Sequence, residues 1–221
     1  MNGRSKRTDE EPSDGRISDR QLLARFVDHH DEDAFARLVA RYCRLVLGVC
    51  RRTLRDEHSA EDAFQATFLV LARRASRIRN RASLAGWLYA VAYRTALRAK
   101  TKRHRRREQT LPDEMTATDD ILARVTSRYE QQLLDEELDR LPEKYRQPLV
   151  LRYLLAKSNN EVARELGLKL GVVEGRLKRG KDRLRLNLAR RGIGLTVALA
   201  AIGASSTAVE AATTESLLAA M

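Results

Sequence analysis

The strongest fold signal in the chain is SNNEVARELGLKLGVVEGRLKRGKDRLR, residues 158–185, which has the pattern of two helices joined by a tight turn. Ser158 is a good N-cap residue and predicts a first helix over residues 159–166. Gly167 permits the positive φ that a tight turn between helices requires. A second helix is predicted over residues 170–188. Together these features predict a helix-turn-helix.

Apolar residues give each of these helices a buried side, and basic residues give the second helix a charged outer side. The first helix is predicted to bury Val162, Ala163 and Leu166. The predicted buried residues of the second segment are Leu168, Val172, Val173 and Leu177, and its outer residues are Glu174, Gly175, Arg176, Lys178, Arg179 and Lys181. A helix of this kind can enter the major groove of DNA, where residues near its N-terminus contact base edges and later cations contact phosphates.

An ordinary pair of helices with a solvated basic face would show part of the same pattern. The turn glycine, the apolar spacing and the basic second helix together favour DNA binding. The overall charge agrees, because 42 Lys and Arg residues exceed 30 Asp and Glu residues, and the net charge is +12. Such a balance predicts attraction to polyanions, but it does not choose between nucleic acid and an acidic membrane surface.

The N-terminal half of the chain is predicted to form a compact domain of four helices, residues 18–107. Capping-box patterns begin the first helix at Ser18 and the third at Ser59, and an amphipathic helix from Asp31 to Leu54 lies between them. Ser83 begins a fourth helix that continues into the basic run of residues 100–107.

The third of these helices has a second, mixed face. Phe64, Phe68 and Leu71 form its apolar face, whereas Asp62, Gln65 and Leu69 fall elsewhere and leave a surface free to contact a partner.

Cations and aromatic residues alternate along the fourth helix. Trp87, Tyr89 and Tyr93 are followed by Arg94, Arg98, Lys102 and Arg105. This pattern suits single-stranded or melting DNA, because arginines neutralise the backbone and exposed bases stack on aromatic rings. Trp87 taken alone is more typical of a core residue, so both interpretations of Trp87 remain open.

The rest of the chain is predicted to hold a linker, a second domain and two tails. Residues 1–17 are predicted to form a disordered tail, and residues 108–128 a flexible linker. The domain with the helix-turn-helix is predicted to span residues 129–191, and a C-terminal tail of unknown role follows at residues 192–221. In the second domain Leu133, Leu134, Leu138 and Leu141 form one buried stripe, Pro142 stops or restarts a helix, and Pro148 disturbs the helix of residues 143–155. The fold class is therefore all-α, with two small helical domains.

No catalytic or metal-binding pattern stands out. Cys43 and Cys50 lie two helical turns apart, which predicts buried free thiols, and the four histidines have no ligand spacing. Residues 1–16 do not have the pattern of a signal peptide. We therefore expect a cytoplasmic protein that is not an enzyme and needs no cofactor or metal.

The order and spacing of four segments resemble the extracytoplasmic-function (ECF) group of bacterial sigma-70 factors. The segments are residues 61–74, 83–106, 141–167 and 170–185. The resemblance implies that the protein directs core RNA polymerase to promoter DNA. It implies that Asp62, Gln65 and Leu69 contact the polymerase, that the fourth helix melts and recognises the −10 element, and that the helix-turn-helix recognises the −35 element. It leaves open whether an anti-sigma factor also binds.

The sequence departs from the family at three of these positions. The family often has Asn where Arg94 stands, and a basic or small hydroxyl residue where Glu174 and Gly175 stand. The base preference at both promoter elements therefore does not follow from the resemblance.

Two other functions compete with this one. A stand-alone helix-turn-helix regulator would use only residues 130–190 and would bind palindromic half-sites as a dimer. A basic protein at the membrane face would be anchored through the apolar residues 193–204, but that run is shorter than the about 20 residues needed to span a bilayer. Membrane contact through this tail is therefore not favoured.

Overall fold

The computed structural model describes residues 17–54, 56–78, 83–107 and 119–196, and for residues 104, 106–107, 119–125 and 128 it describes the backbone only. The described residues form helices and no strand, which agrees with the predicted all-α class. Residues 1–16, the linker residues 108–118 and the tail residues 197–221 lie outside the described residues. No described helix is both long enough and apolar enough to span a membrane.

Four helices form the first unit, residues 19–107. They are α1 (Asp19–His29), α2 (Glu32–Thr53), α3 (Glu57–Arg74) and α4 (Ala85–Arg107), and one turn of 3₁₀ helix, Ala75–Arg77, follows α3. Their apolar faces meet in a common core that contains Tyr42, Phe64, Phe68 and Leu88. Cys43 and Cys50 are buried free thiols in α2, as predicted.

The predicted helix starts are confirmed in the first unit, with one exception. Ser18 caps α1 through the complete capping box with Gln21. α3, in contrast, begins at Glu57 with Asp56 as its N-cap, so the predicted capping box at Ser59 is wrong. Ser59 donates its N–H and hydroxyl to the Asp56 carboxylate at 3.0 and 2.6 Å, and these bonds lower the pKa of Asp56. The aspartate cap therefore takes the place that the later serine was predicted to hold.

A buried carboxylate connects α1 to the start of α4. Asp19 accepts hydrogen bonds from the Arg41 guanidinium at 2.5 Å, from the Tyr42 hydroxyl and from the backbone N–H of Leu84 at 2.9 Å. Leu84 immediately precedes α4, so Asp19 fixes where this basic helix begins.

Four helices also form the second unit, residues 119–189. They are α5 (Asp119–Arg140), α6 (Glu143–Leu149), α7 (Asn159–Leu166) and α8 (Leu170–Ala189). The predicted stripe of Leu133, Leu134, Leu138 and Leu141 is buried. α5 begins at Asp119, so residues 119–128 of the predicted linker belong to this helix.

The irregularity predicted at Pro148 is present. α6 ends at Leu149 and a π-helical turn, Val150–Leu154, replaces the regular continuation. Pro148 has no N–H to donate, and the wider turn instead pairs the N–H of Leu155 with the carbonyl of Val150 at 3.1 Å.

Candidate nucleic-acid interface

The helix-turn-helix has the geometry that the sequence predicted. Ser158 begins α7 through a capping box with Glu161, and Gly167 ends it with a φ of 62°. A Cβ at Gly167 would meet nothing within 4 Å, so the glycine is required by backbone conformation and not by lack of space.

A buried stripe holds α8 against α6. The stripe consists of Val173, Leu177, Gly180, Leu184 and Leu188. Gly180 allows the closest approach, because a Cβ there would lie only 2.9 Å from Cδ1 of Leu149. α8 is therefore fixed along this side, and its opposite side faces solvent.

The predicted DNA-contacting residues lie on this solvent side of α8. Glu174, Lys178 and Arg179 are exposed, and Gly175 and Arg176 are half-buried. Within the described part of the chain, Arg176, Lys178 and Arg179 form no ion pair, so their charges are available to an external polyanion. The structure thus brings together all five predicted residues on one accessible surface.

The prediction that Val172 is buried is wrong. Val172 is 40% exposed, whereas its neighbour Val173 is completely buried. Val173 lies in line with the buried stripe of α8, whereas Val172, about 100° away around the helix axis, lies outside it. The stripe through Leu177 and Leu184 selects Val173.

α4 carries the second predicted nucleic-acid surface, and its cations are accessible. Arg94, Arg98, Lys102 and Arg105 are exposed, and Trp87 is partly buried and packs against the core. Their spacing places all five on one side of the helix.

Two of the aromatic residues along α4 are not available to bases. Tyr89 and Tyr93 are buried, because they face the second unit. Burial and the nearby Asp135 raise the pKa of Tyr89, and burial, together with Glu136 and Asp135, raises that of Tyr93 to about 12. The predicted alternation of stacking rings with cations is therefore wrong for these two tyrosines.

The mixed surface predicted on α3 is also exposed. Asp62, Gln65 and Leu69 point away from the core that the two phenylalanines of α3 help to form, and Leu69 is 55% exposed. A large apolar side chain beside two polar ones suits contact with another protein.

The sequence did not predict the contacts between the two units. Arg52 of α2 and Tyr89 of α4 bind Asp135 of α5, and Arg94 of α4 forms an ion pair with Asp139 at 3.0 Å. Arg52 and Asp135 are 83 positions apart, so no local pattern connects them.

This fold defines an all-helical DNA-binding protein with a helix-turn-helix in one unit and a basic helix in the other. Comparisons with known proteins agree with it. The family model described as Sigma-70 region 2 matches residues 38–106, and the model described as Sigma-70, region 4 matches residues 131–184.

Curated relatives match over most of their length. The RNA polymerase sigma-H factor of Pseudomonas aeruginosa is 30% identical over 175 residues, which cover 74% of this chain and 90% of the relative. CarQ, an RNA polymerase sigma factor of Myxococcus xanthus, is 32% identical over 161 residues, with coverages of 70% and 88%. SigW, an ECF sigma factor of Bacillus subtilis, is 29% identical over 171 residues, with coverages of 72% and 90%. A solved structure of CnrH with the cytosolic domain of CnrY aligns at a TM-score of 0.39 and 24% identity, covering 79% of this chain and 99% of that one.

The chain belongs to the sigma-70 family of RNA polymerase sigma factors, in the ECF subfamily. It is a sigma factor that directs transcription initiation with core RNA polymerase and promoter DNA. Because both family regions match on one chain, the alternative of a stand-alone helix-turn-helix regulator is not supported. Sigma factors as a class are non-catalytic initiation factors.

Proposed function

We propose that three helices divide the work of initiation in this protein. α3 binds core polymerase through Asp62, Gln65 and Leu69. α4 holds the opened −10 element, and α8 recognises the −35 element. The residues assigned to −10 DNA are Trp87, Arg94, Arg98, Lys102 and Arg105, and those assigned to −35 DNA are Glu174, Gly175, Arg176, Lys178 and Arg179.

The observation that carries this proposal is the arrangement of α8. Its apolar stripe is buried against α6, while Lys178 and Arg179 are exposed without an ion pair among the described residues. A cation that already has an acidic partner must break that pair to bind a phosphate, whereas these two need not. The surface is thus ready to neutralise DNA phosphates and to release their counterions.

The role of α4 is supported by a row of exposed cations. Arg98, Lys102 and Arg105 follow one another at three- and four-residue steps, and each is exposed. A row of this kind can follow the backbone of a single strand. Trp87 lies on the same side and offers part of its indole ring to an unstacked base.

We also infer the division of labour along the chain. Residues 18–107 and 119–191 act as two domains joined by 108–118, with tails at 1–17 and 192–221. The protein performs no catalysis itself, because captured bases and polymerase contacts supply the free energy of melting. As a partner of RNA polymerase it acts in the cytoplasm.

The test is transcription from a promoter library by purified core polymerase with and without the chain. The proposal expects new specific start sites. Arg98→Ala should reduce promoter opening more than polymerase binding, and should lower the slope of log affinity against log salt by about 1. Asp62→Ala should weaken polymerase binding first.

Arg37→Ala is the matched control, because Arg37 is an exposed cation on α2 outside all three surfaces. It should leave both measurements unchanged. If Arg98→Ala and Asp62→Ala behave like this control, the residue assignments are wrong. If the chain adds no start sites, the proposed roles of the three helices all fail.

A further inference from the structure

Glu174 is an acid without a partner on a strongly basic helix. Asp182, the other acid of α8, is paired, because Arg185 donates to its carboxylate at 3.2 Å. The side chain of Glu174 is exposed and forms no ion pair or hydrogen bond with any described residue. The six lysine and arginine residues of the same helix are Arg176, Lys178, Arg179, Lys181, Arg183 and Arg185. Contacts within the fold therefore account for Asp182 but not for Glu174.

A partner for Glu174 is present on the same face of α8 and is not used. Lys178 follows one turn later, and a glutamate four residues before a lysine is the favourable order for an ion pair on a helix. Both side chains are exposed, yet they do not pair. On a surface that neutralises DNA phosphates, an unpaired acid repels the backbone and weakens binding to every sequence. A hydrogen bond from a base to the carboxylate would offset this loss at particular sequences.

Glu174 also lies where a recognition helix contacts bases. It is in the second turn of α8, which begins at Leu170, and its neighbour Val173 is buried in the core. Residues near the N-terminus of such a helix reach base edges in the major groove, and other side chains hold the phosphates. Asp182 lies two turns further along α8, so it is not in this part of the helix.

Two glycines leave the backbone of α8 bare next to Glu174. A Cβ at Gly171 would meet nothing within 4 Å, and a Cβ at Gly175 would be 3.2 Å from Nη2 of Arg179, at the flexible end of that side chain. Packing therefore requires neither glycine, although glycine is less favourable than alanine within a helix. Because the two glycines are four residues apart, they lie on one side of α8. That side can approach base edges closely enough for a glutamate to reach them.

The chemistry of the carboxylate favours one base. An ionised carboxylate accepts hydrogen bonds and donates none. In the major groove guanine presents the acceptors N7 and O6, thymine presents the acceptor O4, and adenine presents the N6 donor beside the acceptor N7. Cytosine presents the N4 amino donor and no acceptor. Cytosine is therefore the base that offers a carboxylate a hydrogen bond without repulsion from a neighbouring acceptor.

We propose that Glu174 determines one position of the −35 element by accepting a hydrogen bond from the N4 amino group of a cytosine. The inference rests on the proposed role of α8 in −35 recognition. Repulsion between Glu174 and the phosphates lowers the affinity for all sequences, and the contact with cytosine restores it at the matching one. The acid thus lowers overall affinity and raises selectivity.

The test uses the full chain in complex with core polymerase. A promoter that the complex uses is randomised over its −35 element, and the bound sequences are determined for the native chain and its variants. The native chain should favour cytosine over guanine or thymine at one position by about tenfold. Glu174→Ala should lose this preference, and Glu174→Gln should move it toward adenine, because an amide pairs with both N6 and N7.

Asp182→Ala is the matched control, because it removes the same charge from the same helix. It should raise the affinity for all sequences and leave the base preference unchanged. Both positions are on the outside of α8 and alanine favours helix, so the variants keep the fold.

A modified base tests the contact itself. 2-Pyrimidinone lacks only the 4-amino group of cytosine. Replacing the selected cytosine with it should weaken binding of the native chain by about tenfold more than binding of Glu174→Ala. The weaker pairing of this base with guanine affects both proteins equally and cancels in the comparison.

The outcomes separate this inference from the proposed function. If the native chain selects no −35 sequence, both fail. If it selects one and Glu174→Ala keeps the same preference at every position, the role of α8 holds and that of Glu174 is overturned. A position that depends on Glu174 but favours another base overturns the choice of cytosine. Equal losses of the two proteins on 2-pyrimidinone overturn the direct contact.

Discussion

Replacing Asp19 with alanine tests whether one buried carboxylate organises the first unit. The variant leaves three donors without their acceptor: the Arg41 guanidinium, the Tyr42 hydroxyl and the Leu84 N–H. Arg41 is 32% exposed and can turn to water, so its lost ion pair costs at most about 1 kcal/mol. Tyr42 and Leu84 are buried, and each unsatisfied donor costs about 1–3 kcal/mol. We expect the free energy of unfolding to fall by about 4 kcal/mol.

The measurement is urea unfolding of the full chain followed by circular dichroism at equilibrium. Asp28→Ala is the matched control, because Asp28 lies in the same helix and is exposed; its effect should be within about 0.5 kcal/mol. Asp19→Asn should fall between the two, since its single carbonyl oxygen replaces only part of the carboxylate. If Asp19→Ala unfolds at the same urea concentration as Asp28→Ala, the proposed importance of the carboxylate is refuted.

Three further changes test the helix-turn-helix and the core. Gly167→Ala should lower the free energy of unfolding by about 1 kcal/mol, because a φ of 62° is unfavourable for a residue with a side chain. Gly171→Ala is the control: Gly171 has equal space around it but is helical, so alanine there should stabilise the fold. Equal effects of the two substitutions in thermal unfolding would contradict this reasoning. Gly180→Ala should lower stability by about 1–3 kcal/mol through its contact with Leu149, and an unchanged urea midpoint would argue against close packing there. The folded Cys50 thiol keeps its proton until a pH of about 12, whereas the unfolded thiol loses it at its ordinary pKa of 9.0. The protonated Cys50 thiol therefore contributes its full share to stability below pH 9, and this share is lost as the pH rises toward 12. The free energy of unfolding should fall over this pH range, and it should fall less in Cys50→Ala.

Local rules predicted the helices well because their signals lie within a few residues. The capping box at Ser18, the N-cap at Ser158 and the turn at Gly167 are confirmed. The same rules failed at Ser59, because the helix already begins after Asp56, whose carboxylate accepts the N–H of Ser59. They failed again at Val172, because an apolar residue beside another does not reveal which of the two faces the core.

The candidate surfaces on α3 and α8 were predictable for a related reason. A helix that buries one side must expose the other, so the buried Leu177 and Phe64 imply the accessibility of the residues opposite them. The tyrosines of α4 did not follow this reasoning. Tyr89 and Tyr93 are buried where a second unit that is distant in sequence packs against α4.

The sequence by itself determined where the helices lie, how α7 turns into α8 and which cations face outward, because helix periodicity and capping act over one to four residues. Only the tertiary structure decided what lies between the units. Asp135 has no local partner, and its importance comes from Arg52, 83 residues earlier, and Tyr89, 46 residues earlier. The free energy of a buried charge depends on which groups replace its water, and that depends on how distant parts of the chain pack together.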